Sequence, residues 1–345
     1  MIDAIRTTVR SVTKILFNWP LVFLFSILLP SLVFSVYFLY EIGLGLIILE
    51  LVAPGLESLA PRVPGDIFPY FFTMEMFQRA LLASVMVTIV AGILGSFLLI
   101  RNLALIGDGL AHVSFGGVAI AIVAGISDVL NVAVIFSVIS AILIYELQRR
   151  EILTGDAAIA VFLTGMLALG LVMLRLYGGG ITSNIEGYLF GSLLLVDEAS
   201  LNWITAVSVV SLVLLIIFYS ALLSTTIDPL AARVQGIPEH AIGLGFIIVT
   251  AVVVVSMVKI IGALLVTALL VTPAATGQML GRSFRSCIMW TLFFGLSAVF
   301  IGLYMSAERD TGSGAMIALI SACIFAAVLL SKSVILGLIK PKDNR

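Results

Sequence analysis

The sequence is poor in charge. Of its 345 residues only 11% are Asp, Glu, Lys or Arg, while 61% are hydrophobic, and the mean hydropathy is +1.25. A soluble domain carries about 25% charged residues, so a water-facing fold is excluded for the chain as a whole. The 18 basic and 19 acidic residues leave a net charge of −1, which offers no basic surface to nucleic acid. Cysteine is scarce: Cys287 and Cys323 both stand in apolar runs, where they read as small hydrophobes and not as a disulfide. Histidine is equally scarce, with only His112 and His240, too few for most metalloenzyme sites. No G-x-x-x-x-G-K-[ST] phosphate loop occurs, which excludes ATP hydrolysis by that route. Neither H-E-x-x-H nor C-x-x-C is present, and no Ser-His-Asp set is apparent.

What is there is a succession of apolar runs, each able to cross a hydrocarbon core of about 30 Å. Ten spans are drawn, at residues 20–48, 79–100, 104–124, 129–147, 157–176, 201–223, 240–258, 260–280, 286–306 and 315–337. The expected fold is therefore all-α, a polytopic integral membrane protein. Arg6, Arg10 and Lys14 precede the first run, as in a signal peptide. That run is far longer than a signal core of about 7–15 residues, so it reads as a retained helix, with a break allowed at Pro30. With the N-terminus in the cytoplasm, Arg101, Arg149, Arg150, Arg233, Arg282, Arg285, Lys332, Lys340, Lys342 and Arg345 all fall on the cytoplasmic side. Arg62, Arg79, Arg175, Lys259 and Arg309 fall near outer ends. This asymmetry follows the positive-inside rule and sets both termini in the cytoplasm of a cell-membrane protein. Residues 54–75, with Pro54, Pro61, Pro64 and Pro69, read as an extended outer loop. Residues 177–200 are too short to cross twice and too polar to cross once; their "YLFGSLLLV" reads as a re-entrant or interface helix packed on protein.

Polar islands in such a chain ask for a reason. In "LIGDGLAHVSFGG" (105–117), Asp108 and His112 stand at i and i+4 and share a helix face. With the preceding span ending at Arg101 and the next drawn from residue 104, at about 1.5 Å per residue they lie about 6 and about 12 Å inside, His112 near the midplane. Small residues Gly116 and Ala119 continue the stripe. Ionisable groups at that depth face a bundle interior or a water-filled path. A carboxylate with an imidazole suits a borderline divalent cation such as Zn²⁺ or Mn²⁺. Two donors do not close a metal site, so an Asp–His pair that merely holds helices together stays open as the alternative. In "STTIDPLAARVQGIPEHA" (224–241), Asp228 caps a short helix with Pro229 at its first position. That helix runs through Ala232 to a stop at Gly236, followed by Ile237 and Pro238. A capped helix in a cytoplasmic loop suits docking into another protein's groove; a plain solvated connection is the alternative. In "KIIGALLVTALLVTPAATGQMLGR" (259–282), Gly262 and its small neighbours allow close helix approach, and Pro273 loosens the backbone. "SAERDTGSGAM" (306–316) reads as an outer turn.

Taken together these islands resemble the membrane permease subunits of zinc, manganese and iron ABC importers. The similarity runs from about Phe77 to Leu330 and is carried by "GDGLAHVSFGG", "ELQRREILTGDAAIAVFLTG", "EGYLFGSLLLV", "DPLAARVQGIP", "GALLVTALLVTPAAT" and "GLYMSAERDTGSGAMI" in that order. The resemblance implies a type II, vitamin B12 importer-like permease architecture over residues 76–345, with 1–75 an N-terminal arm, extra helix and outer loop outside it. It implies a homodimer in the lipid membrane, with a separate ABC ATPase subunit on each chain and an extracytoplasmic metal-binding protein that delivers the ion. The chain itself is then not an enzyme and holds no permanent cofactor; the metal is cargo. Asp108 and His112 contact that metal, Gly116, Gly117, Gly262 and Pro273 pack the translocation path, and Asp228 to Pro238 is the loop that docks on the ATPase. Where the family pattern has Ser before the His and Pro-Gly after it, this chain has Ala111 and Gly116-Gly117; where an acid is common, it has Ser200. A stand-alone secondary cation transporter explains the Asp–His pair equally well, but not the capped helix.

Overall fold

The computed structural model describes residues 29–127, 129–177 and 196–339. The described residues are helical throughout their regular structure. In chain order the helices are α1 (Leu29–Glu41), α2 (Leu44–Leu59), α3 (Tyr70–Thr73), α4 (Glu75–Ile100), α5 (Ile106–Val123), α6 (Val129–Arg149) and α7 (Gly155–Tyr177). They continue with α8 (Glu198–Ile217), α9 (Tyr219–Ile227), α10 (Pro229–Val234), α11 (Glu239–Ile261), α12 (Ala263–Leu280), α13 (Phe284–Arg309) and α14 (Ser313–Ile339). Ten helical stretches are long and apolar enough to cross a membrane. In hydrocarbon every backbone N–H and C=O must be bonded internally, so runs of this length and composition have helix as their way across. The chain is a multi-pass membrane protein.

Three expectations need correction. The first apolar run is not continuous to residue 48: within its described part a break falls at Ile42–Gly43, between α1 and α2. Gly43 adopts φ +74°, a left-handed conformation open to glycine without a Cβ penalty. Among the described residues the first candidate span is Leu44–Arg62. Residues 54–75 are not one extended loop: α2 continues through Pro54 to Leu59, and a 3-10 turn follows at Ala60–Arg62. A proline deletes a single helical hydrogen bond, and in an apolar setting the remaining backbone still gains by staying helical. The run 201–223 also bends, with α8 ending at Ile217 and α9 starting at Tyr219. The N-terminal charges and "YLFGSLLLV" lie outside the described residues.

The centre of the fold is built from α4, α5 and α11, the most deeply enclosed of the spans, whereas α2, α7 and α14 are largely uncovered. Small residues set the spacing. A Cβ added at Gly95 of α4 would overlap the Leu270 carbonyl oxygen of α12. At Gly302 of α13 it would stand 2.6 Å from the Ile317 Cα of α14. Without a hydrophobic drive between helices in lipid, such backbone contact is what holds spans together. The N-terminal helices lie against α8, where Tyr37 and Tyr40 set their ring edges on Trp203, both at 5.8 Å. Asn202 Oδ1 also accepts the Leu46 N–H at 3.0 Å. The connection into α3 is held from the far end of the sequence: Glu308 Oε1 accepts the N–H groups of Ile67 and Phe68 at 2.9 and 3.0 Å.

Candidate functional site: an Asp–His pair and a capped short helix

Helix α5 begins at Ile106, so Asp108 lies in its first turn. A carboxylate there is favoured by the partial positive charge of the helix N-terminus. His112 follows one turn later. Counted from Ile106 it lies about 9 Å into the helix, at the end of its first third. The turn Arg101–Leu105 before the helix is non-helical, and Asn102 there takes φ +55°. His112 Nε2 stands 3.6 Å from Asp108 Oδ1. That is outside hydrogen-bond range, so the two groups face one another without closing on each other. Asp108 keeps 46% of its side chain exposed and His112 22%. His112 Nδ1 is buried and makes no hydrogen bond.

The other sides of α5 are closed. A Cβ at Gly116 would meet the Met166 carbonyl oxygen of α7 at 2.8 Å, and one at Gly117 the Ala133 Cα of α6 at 2.9 Å. Gly107 lies against Leu270 of α12. Gly116 and Gly117 are thus helix-contact residues, and α5 runs unbroken through them. Ala119 is buried as well, so the small-residue stripe does not continue the open face. In the N-terminal half of α5 and the turn before it, Ala104, Leu105, Asp108 and His112 stay at least partly exposed; nearer the C-terminus Val118, Ile120, Ile122 and Val123 do. Among the described residues no third His, Cys, Asp or Glu joins this pair. Gly262, at φ +89°, is the single-residue corner between α11 and α12. Pro273 is buried inside α12, facing Gly295 of α13.

The short helix α10 forms as its sequence dictates. Asp228 Oδ1 accepts the N–H groups of Leu230 and Ala231 at 3.0 and 2.9 Å, and Pro229 occupies the first helical position. At the other end Ile237 N–H bonds to Ala232 O at 3.0 Å and Gly236 N–H to Arg233 O at 3.1 Å. These two bonds with Gly236 at φ +80° are a Schellman stop. Ala232 is buried, Ile237 closes the motif, and Pro238 then precedes α11. The six residues of α10 are therefore fixed at both ends. Ile227, Leu230 and Val234 stand at helical spacing and are 67%, 71% and 89% exposed. Nothing in the described chain covers them.

Sequence reading passed over the surroundings of this helix. Arg101, at the end of α4, donates from Nε to Thr226 Oγ1 and from an Nη to Thr225 Oγ1, at 2.9 and 3.0 Å. Its guanidinium also lies 4.9 Å from the Phe246 ring centre. Burial lowers its pKa below the usual arginine value, an effect that Tyr145 and Glu239 offset in part. Arg233 pairs with Glu239 at 2.8 Å, and His240 Nε2 lies 3.3 Å from Glu146 Oε1. A cavity of about 610 Å³ opens among these groups. The sequence signals were present, a lone arginine after a span and a Thr-Thr pair before Asp228, but their meeting spans over a hundred residues of chain.

With this geometry in hand, known proteins supply a frame. The profile of the ABC 3 transport family matches residues 73–332. The chain is 33% identical over 261 residues to the manganese transport system membrane protein MntC of Halalkalibacterium halodurans, covering 75% of this chain and 88% of that one. It is 30% identical over 258 residues to the high-affinity zinc uptake system membrane protein ZnuB of Haemophilus influenzae, covering 75% and 98%. Among solved structures it is similar to PsaBC from Streptococcus pneumoniae, at a TM-score of 0.66 and 29% identity over 75% of this chain and 92% of that one. Matched over residues 73–332 and carrying ten candidate spans among its described residues, the chain belongs to the ABC 3 transport family.

Proposed function

We propose that this chain is the permease subunit of an ATP-driven importer of divalent transition-metal ions, with zinc and manganese as the cargo its relatives' names support. The observation that carries this reading is the Asp108–His112 pair. It is an oxygen and a nitrogen donor 3.6 Å apart, both partly exposed in the N-terminal half of a helix whose neighbouring positions there are buried. Such a donor set suits borderline divalent metals. One protomer supplies two donors, fewer than the four that zinc takes. A second copy about a two-fold axis presents the same pair again, so a homodimer with the metal passing between its chains completes the set. The end that carries α10 also carries Arg101, Arg149, Arg150, Arg233, Arg282 and Arg285. That charge sets it in the cytoplasm, where an ATPase subunit docks on Ile227, Leu230 and Val234. Both termini lie on that side, and an extracytoplasmic metal-binding protein loads the opposite one. The permease domain starts near residue 76, with α1 to α3 as an arm resting on it.

Membership of an ABC family argues against a stand-alone secondary transporter. Proteoliposomes with the permease and its ATPase subunit separate the two. The account expects metal uptake that requires ATP hydrolysis and the delivering protein. Uptake driven by a proton gradient with the permease alone would overturn it.

A further inference from the structure

Three arginines, Arg101, Arg149 and Arg233, line the cavity of about 610 Å³ beside α10. Two of them have local counter-ions: Arg233 bonds Glu239 at 2.8 Å, and Arg149 lies 3.8 Å from Glu146. Arg101 has none, because among the described residues no carboxylate stands within ion-pair distance of it. Its partners are two neutral hydroxyls and an aromatic face. A guanidinium offers five N–H donors, and removing it from water without an anion is costly. Glu239 and Glu151 also line the cavity: Glu239 is bonded to Arg233 and acts on Arg101 only from beyond ion-pair distance, and Glu151 is exposed, so solvent screens it.

We propose that this cavity receives an acidic side chain of the ATPase subunit, which pairs with Arg101 when that subunit docks on α10. The inference rests on the permease reading above. Pro229 and Arg233 belong both to α10 and to the cavity wall, so a partner seated on exposed Leu230 and Val234 stands at the cavity mouth. An arginine–carboxylate fork fixes register as well as adding affinity. Arg101 is also the first residue of the turn that leads into α5, in whose first turn Asp108 lies. An acid that arrives at Arg101 therefore acts on the segment that carries the metal pair.

The test is capture of the purified ATPase subunit by the full-length permease in detergent micelles, titrated at low and high salt. Arg101→Gln is expected to weaken capture roughly 10-fold or more and to flatten its salt dependence. Arg101→Lys, which keeps the charge but not the fork, falls between. Gln148→Glu sets a like charge in the cavity without touching the guanidinium, and it is expected to weaken capture too; it decides the matter if Arg101→Gln does not elute as a folded chain. Unchanged capture by these variants overturns the inference alone. Loss of co-purified phospholipid phosphorus with capture unchanged assigns the cavity to a lipid headgroup, and also overturns it. If the unaltered permease captures no ATPase subunit, the permease reading falls and takes this inference with it.

Discussion

Asp228→Ala isolates the docking helix from everything around it. The Asp228 carboxylate accepts two backbone N–H groups of α10, which is only six residues long. Loss of an N-cap costs about 1 kcal/mol, within a range of about 0.5–2. An isolated helix of this length is far below the about 12–15 residues at which helices become marginal in water, so the cap is a large share of what holds it. A cost of about 1 kcal/mol lowers the folded-to-unfolded ratio of a marginal element about 5-fold, and its folded fraction by up to about that factor. ATPase capture and metal-stimulated ATP hydrolysis are expected to fall by about that factor, while metal binding to the permease is unaltered. Asp228→Asn keeps an oxygen acceptor at the cap and is expected to stay close to the parent. The assay is ATPase subunit binding measured side by side for the three chains. Equal behaviour of Ala and Asn would refute the reasoning: if both bind fully the cap is irrelevant, and if both fail it is the charge and not the cap that matters.

Other perturbations test separate parts of the account. Gly95→Ala sets a Cβ onto the Leu270 carbonyl oxygen, backbone against backbone with no flexible end to yield. Overpacking of this kind costs about 1–3 kcal/mol, and a lowered melting temperature of the purified protein in micelles is the expected result. Glu308→Ala releases the Ile67 and Phe68 N–H groups, and faster proteolysis in residues 60–74 is expected, with α13 intact.

Much of this was legible in the sequence because membrane physics leaves few choices. Span length is fixed by bilayer thickness, so the runs that became α4 to α7 and α11 to α14 could be drawn directly. Asp228, Pro229 and Gly236 have positional meanings that hold in any surroundings, and the ends of α10 fell where they indicate. The failures are of another kind. Proline was given more weight as a breaker than it has in lipid, which hid the helix through Pro54, while the left-handed Gly43 carried no local mark. Contacts such as Glu308 with Phe68, or Arg101 with Thr225 and Thr226, join residues that only the packed bundle brings together.

The most direct test of the central claim is total cell metal, read by elemental mass spectrometry under limiting supply. Cells that lack this gene are compared with cells restored by the intact gene or by Asp108→Ala combined with His112→Ala, at matched membrane abundance. The account predicts that one divalent transition metal falls on deletion, returns with the intact gene and stays low with the double variant. Full restoration by the double variant, or no change in any metal on deletion, would contradict it.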